Sequence, residues 1–204
     1  VDAVAEADLA LAAGSASAVV GPNGSGKSTL ALMVAGLQKP DAGRVVAADE
    51  PQRPLHRRRP ASLARAIGTV FQNPEHQFLT DSVRAELMVA PRRLHWGTDR
   101  AARRADELLE RLGLSALAEA NPFTLSGGQK RRLSVATALS VAAPVLVLDE
   151  PTFGQDARTW TELVELLAGV RDDGAAVLMV SHDEDFVAAV ADRILMMAEG
   201  RLSA

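Results

Sequence analysis

The chain has 204 residues, of which 48% are hydrophobic and 24% charged, and a net charge of -4. This length suits one domain with a sizeable core, and the composition is globular rather than disordered. The mild negative charge gives no reason to expect a nucleic-acid partner. The absence of cysteine excludes disulfides, thiolate metal sites and a cysteine nucleophile. The longest apolar stretch, residues 133–148, is broken by Ser134, Thr137, Ser140 and Pro144, so it reads as a buried helix and a strand, not a membrane span.

In chain order, residues 17–20 form an apolar run before a glycine-rich turn and predict a buried strand. Residues 28–36 predict a helix closed by Gly36. Residues 45–47 and 67–71 predict strands. Between them lie Pro51, Pro54, Pro60 and the run Arg57, Arg58, Arg59, read as a solvated loop. Thr80 or Asp81 is placed to cap a helix that Pro91 stops. A second helix covers 100–112 and ends at Gly113. Ser126 caps a third that reaches about Ala142. Residues 145–148 predict a strand, 156–171 an amphipathic helix, 175–180 a strand, 184–191 a helix and 194–197 a strand. Strands alternate with helices at both ends while the middle is helical. The expected fold is α/β, a mainly parallel sheet with an inserted helical subdomain. The core is expected at about 1–78 and 144–204, and the subdomain at about 79–143.

Three local patterns carry chemistry. The segment Gly21-Pro-Asn-Gly-Ser-Gly26-Lys27-Ser28 matches the phosphate-loop pattern in full. Glycines let the backbone approach phosphate, and successive N–H groups face inward at a helix start. Asn23, Gly24, Ser25, Gly26, Lys27, Ser28 and Thr29 are the candidate nucleotide contacts, with Lys27 reaching the β- and γ-phosphates and the Ser28 hydroxyl ligating Mg²⁺. Three lysines stand against nineteen arginines, and Lys27 falls where a compact ammonium fits and a planar fork does not.

The second pattern is an apolar strand ending in Asp149-Glu150, at the strand end where open α/β sheets place ligands. Asp149 is the candidate Mg²⁺ ligand and Glu150 the group that orients or deprotonates water. The third is Leu125-Ser126-Gly127-Gly128-Gln129, an anion site at a helix start. Taken alone, that segment also fits a plain helix cap.

Together these residues resemble the ATP-binding cassette family, and the last five match its signature without change. The resemblance covers nearly the whole chain and implies an ATP hydrolase using ATP and Mg²⁺. It places Gln72 at the Q-loop glutamine, a Mg²⁺ and γ-phosphate contact. It places His182 at the switch histidine and Asp156 at the D-loop aspartate. Gln155 stands where the family commonly has leucine. The implied assembly is a head-to-tail pair of cassettes, as homodimer or heterodimer, in which the phosphate loop of one and the signature of the other enclose each ATP. The stretch Phe71-Gln-Asn-Pro-Glu-His-Gln-Phe78 is similar to the Q-loop of energy-coupling factor importers of vitamins and transition-metal ions. That implies a transmembrane subunit as partner and a peripheral position on the cytoplasmic face of the membrane. The family stacks adenine on an upstream aromatic residue, and no aromatic residue precedes Gly21. The expectation is therefore a segment missing before Val1. Another transporter class and a non-transport cassette are the alternatives. The latter usually shows paired cassettes, coiled coils or basic arms, and none is visible. A GTPase would carry a base-reading Asn-Lys-x-Asp motif, which the chain lacks.

Overall fold

In the computed structural model, which describes residues 3–152 and 157–203, the apolar runs become the middle of one six-stranded sheet. Its order is β2-β3-β4-β1-β5-β6, with β1 at Ala16–Val20, β2 at Ile67–Val70, β3 at Val145–Asp149, β4 at Ala176–Val180, β5 at Arg193–Ala198 and β6 at Arg201–Ser203. All pairings are parallel except the antiparallel β5–β6 edge. The parallel strands β1 to β4 are covered on both faces, which explains their continuous apolar sequences, whereas β5 leaves Ile194 and Met196 exposed on one face.

Alternate residues face two cores. Leu146 and Leu148 of β3 and Val177 and Met179 of β4 join a cluster that includes helices α3 to α7. Val147, Leu178 and Val180 point the other way, toward Leu30, Ala31 and Val34. These last three belong to α1, Lys27–Val34. Leu108, Leu133 and Leu148 are fully buried, each contributing roughly 1.5–3 kcal/mol of hydrophobic stabilisation. The expected α/β class with a mostly parallel sheet and a helical subdomain is what the chain adopts.

The register places the site. Val19 of β1 lies level with Val180 of β4, and Val180 with Asp149 of β3. Val70 of β2 pairs with Leu148. Chain segments leaving these four strands therefore emerge at one edge of the sheet: the phosphate loop after β1, Gln72 after β2, Glu150 after β3 and His182 after β4.

The helical part holds α3 (Val83–Arg93), α4 (Thr98–Arg111) and α5 (Gly127–Leu139). The remaining helices are α2 (Pro60–Ala66), α6 (Ala157–Asp172) and α7 (Glu184–Val190). Several expectations are corrected. Residues 45–47 form no strand; Val45 accepts one bond from Leu55 N–H, and the run packs Val45 and Ala47 onto the second core. The proline-rich loop contains α2, with Pro60 at its first turn, where the missing N–H costs nothing. Arg58 is buried rather than solvated and donates both terminal nitrogens to Asp49, at 2.9 and 2.8 Å. Ser82, not Thr80 or Asp81, caps α3, because Thr80 is engaged with the Glu86 carboxylate. Pro91 lies inside α3 and the helix runs two residues past it, since a proline near the last turn deletes one intrahelical bond.

Candidate functional site

The phosphate loop is shaped by positions that only glycine tolerates. Gly26 has φ 102, and a Cβ there would lie 1.8 Å from the Ala3 carbonyl oxygen. At Gly21, φ 147, a Cβ would lie 2.1 Å from the carbonyl oxygen of Met197. The loop is thus wedged between the N-terminal segment and β5, and its close wrap follows from the sequence directly. Lys27 is buried, and its Nζ donates to the carbonyls of Gly21 at 2.8 Å and Pro22 at 2.9 Å. The ammonium therefore sits across the mouth of its own loop.

A cavity of about 310 Å³ opens beside it. Asn23, Gly24, Gly26, Lys27, Ser28 and Thr29 form one side, and Gln72 and Glu150 contribute from two other strand ends. Ser25 is buried within the loop, where its N–H donates to the Pro22 carbonyl.

Behind the cavity, Ser28 Oγ donates to Asp149 Oδ1 at 3.1 Å. Burial raises the Asp149 carboxyl above its ordinary value, with neighbouring Glu150 adding to the effect, while the Ser28 bond and the charges of Lys27 and Arg131 oppose it. Glu150 leaves β3 with a left-handed φ of 50, a conformation costing roughly 1 kcal/mol or more outside glycine. Its N–H still bonds Val180 O at 2.9 Å. Its Oε2 lies 2.8 Å from His182 Nδ1. The ring is more than half exposed and the carboxylate nearly buried, so the histidine screens one side of an acid that otherwise faces the cavity.

Ser126, Gly127, Gly128 and Gln129 lie elsewhere, at the start of α5. Ser126 Oγ accepts from the Gln129 N–H and Gln129 Oε1 accepts from the Ser126 N–H, a reciprocal capping box. None of the four lines the phosphate-loop cavity. The site residues therefore fall into two groups, one around Lys27 and one around Ser126. Asp156 and Gln155 lie outside the described residues.

Sequence reasoning missed Arg131. It is buried in α5 and donates to the carbonyls of Phe71 and Gln72. The only signal was a cluster of three basic residues, Lys130 to Arg132, directly after the signature. Burial pulls the Arg131 guanidinium below its ordinary value, countered by the charges of Asp149 and Glu150.

The donor set fits a hard divalent ion. The Ser28 hydroxyl, bonded to the Asp149 carboxylate, and the Gln72 side-chain amide on the same cavity are all oxygen donors of the kind Mg²⁺ takes alongside substrate phosphates. Among the described residues no helix is long and apolar enough to cross a membrane.

The family model for "ABC transporter" matches residues 4–153. A putative HMP/thiamine import ATP-binding protein, YkoD of Bacillus subtilis, is 45% identical over 96% of this chain and 34% of its own length. An energy-coupling factor transporter ATP-binding protein of Symbiobacterium thermophilum is 40% identical over 90% of this chain and 64% of its own. The chain thus spans about a third of the first relative and just under two thirds of the second. Among solved structures, the dimeric post-hydrolysis state of the ATP-binding cassette MJ0796 with ADP and Pi superposes with a TM-score of 0.88, at 26% identity, covering 99% of this chain and 89% of that one. With the phosphate loop, the acidic strand end and the signature all in place, the chain belongs to the ABC transporter family, as an ATP-hydrolysing cassette.

Proposed function

We propose that this chain is the motor cassette of an importer of the energy-coupling factor type, taking up a vitamin or a transition-metal ion. On this reading it sits on the cytoplasmic face of the membrane against a transmembrane subunit and works as one of two head-to-tail cassettes. The observation that carries it is the cavity bordered by Lys27, Ser28, Gln72 and Glu150, with Asp149 bonded to Ser28 and His182 to Glu150. The names of relatives, a putative HMP/thiamine import ATP-binding protein and an energy-coupling factor transporter ATP-binding protein, support the importer class.

The residues divide the work as follows. The N–H groups from Asn23 to Thr29, at the positive end of α1, bind phosphate oxygens. Lys27 exchanges its two loop carbonyls for the β- and γ-phosphates. Ser28, Asp149 and Gln72 would hold Mg²⁺, which when bound would offset the negative charge of the phosphates. Glu150 accepts a proton from, or aligns, the attacking water, and His182 holds Glu150 in place and contacts the γ-phosphate. Ser126, Gly127, Gly128 and Gln129 of the opposite cassette close over the same nucleotide, with Asp156 acting across the interface.

The importer reading is tested by expressing the chain with the membrane proteins encoded beside it. Recovery of a complex containing a multi-span subunit and a small membrane substrate-binding protein supports the energy-coupling reading. Recovery with an exporter-type membrane domain, or with no membrane protein under conditions that preserve such complexes, contradicts it.

A further inference from the structure

The basic residues after the signature have no part in the site as read so far, yet Arg131 is 97% buried, at 3% exposure. Burying a guanidinium is costly unless its donors are satisfied. Here two of its nitrogens are satisfied by main-chain carbonyls, while Nε is buried with no hydrogen-bond partner among the described residues. Nη1 donates to the Phe71 carbonyl at 2.7 Å and Nη2 to the Gln72 carbonyl at 2.6 Å. Both are charge-assisted bonds, about twice as strong as neutral ones, and a planar fork offers two donors at a fixed spacing. The carbonyls belong to consecutive residues where the chain leaves β2, and the second is the residue whose side chain enters the phosphate-loop cavity.

The neighbours of Arg131 on α5 hold the rest of that loop. Lys130 Nζ pairs with Glu75 Oε1 at 2.6 Å. Ser134 Oγ donates to Gln77 Oε1, and Gln77 Nε2 lies 3.3 Å from Thr137 Oγ1. Gln77 Nε2 also donates to the Thr69 carbonyl, and Phe71 N–H donates to Gln77 Oε1. Residues 130, 131, 134 and 137 share one helical stripe, so a single face of α5 grips the chain from Phe71 to Gln77. The first turn of that same helix carries Ser126, Gly127 and Gly128.

We propose that Arg131 is a positioning residue for Gln72: by holding the main chain at Phe71 and Gln72, it fixes where the Gln72 side chain enters the cavity and ties that placement to the helix bearing the signature. This rests on the reading of Gln72 as a Mg²⁺ and γ-phosphate contact. A lysine at this position offers a point charge that satisfies one carbonyl well, whereas the fork satisfies both. Arg131 acts through Gln72 and does not itself reach the nucleotide cavity.

The test is a double-mutant cycle in MgATP hydrolysis by the purified chain, with Arg131→Met, Arg131→Lys, Gln72→Ala and the Arg131→Met/Gln72→Ala pair, each checked for folding by its thermal melt. Arg131→Met is expected to lower kcat by about tenfold or more, because a site group misplaced by about 1 Å can cost 10²-fold. KM for ATP should stay within about twofold, since the phosphate loop is untouched, and the Mg²⁺ concentration for half-maximal rate should rise. Arg131→Lys should recover part of the loss. The double variant should be no slower than Gln72→Ala alone, the non-additivity expected when one residue acts through the other. If Arg131→Met fails to fold, the same cycle run with Arg131→Lys carries the test. Losses that multiply in the double variant, or a normal kcat in Arg131→Met beside an impaired Gln72→Ala, overturn the role of Arg131. An unimpaired Gln72→Ala removes the role of Gln72 first, and this proposal with it.

Discussion

The chain contains two glycine-bearing helix starts, and they are built in opposite ways. At the start of α1, Gly21 and Gly26 are demanded by the chain's own packing: an added Cβ would meet Met197 O at 2.1 Å or Ala3 O at 1.8 Å. Lys27 is buried against the loop. At the start of α5 nothing comparable holds. Among the described residues, a Cβ at Gly127 would meet no atom within 4 Å, and one at Gly128 only Thr159 Oγ1 at 3.8 Å. Neither signature glycine has a left-handed φ. One helix start is a finished pocket. The other is an open face whose glycines the fold itself does not need. On the proposed reading, their small size answers a demand from outside the chain, that of a nucleotide held by a second cassette.

The largest expected effect probes the finished half. Glu150→Gln should keep ATP affinity and lower hydrolysis by about 10²–10⁴-fold, the usual worth of a general base or water-positioning group. Near wild-type turnover would take Glu150 out of that role. Lys27→Ala should abolish nucleotide binding or cripple turnover, and the Gly21 and Pro22 carbonyls lose their donor as well. Titration with a fluorescent ATP analogue reads this, and unchanged affinity with unchanged hydrolysis contradicts the phosphate-loop assignment.

The contrast itself is sharpened by moving one methyl between the halves. Gly26→Ala should fail to fold or melt far below the parent, since both backbone sterics and the Ala3 carbonyl oppose it. Gly127→Ala should leave the melting temperature and the ATP affinity of the single chain unchanged, yet lower hydrolysis where the pair must close. A Gly127→Ala chain of normal activity would break the comparison.

The smallest effect is electrostatic. Because burial raises the Asp149 carboxyl above its ordinary value, the folded chain binds this proton more tightly than the unfolded one. The contribution to stability is therefore fully present below the unfolded value and is lost as pH rises through the folded one. At neutral pH the ionised carboxylate costs stability, so Asp149→Asn should raise the melting temperature without Mg²⁺ and flatten its pH dependence above pH 4 (roughly the unfolded carboxylate value). An equal or lower melting temperature at neutral pH contradicts this.

Much of the fold was legible because its strands are short apolar runs at sheet positions covered on both sides. The failures share a physical form. The α2 segment is only seven residues long, too short for a clear apolar stripe, and its helix signals are Pro60 at the first turn and a run of helix-favouring Ala, Leu and Arg. Three capping candidates stand in a row at Thr80, Asp81 and Ser82, and the choice of Ser82 depends on Glu86 engaging Thr80. Arg57, Arg58 and Arg59 look alike in sequence, and the partner at Asp49 singles out the middle one. In the site, local patterns were readable: the phosphate loop, the acidic strand end and the signature each lie within a few residues. The grip of Arg131 on carbonyls 60 and 59 residues away leaves no trace in local spacing.

The central claim is that the open helix start completes the nucleotide site of a second chain. Sedimentation of Glu150→Gln with and without MgATP tests it most directly, because binding continues while the hydrolysis that reopens the pair is blocked. The account predicts a monomer without nucleotide and a stable dimer with MgATP, and loss of that dimer when Ser126→Arg is added. A Glu150→Gln chain that binds MgATP and stays monomeric at high concentration, alone and with any cassette encoded beside it, contradicts the account.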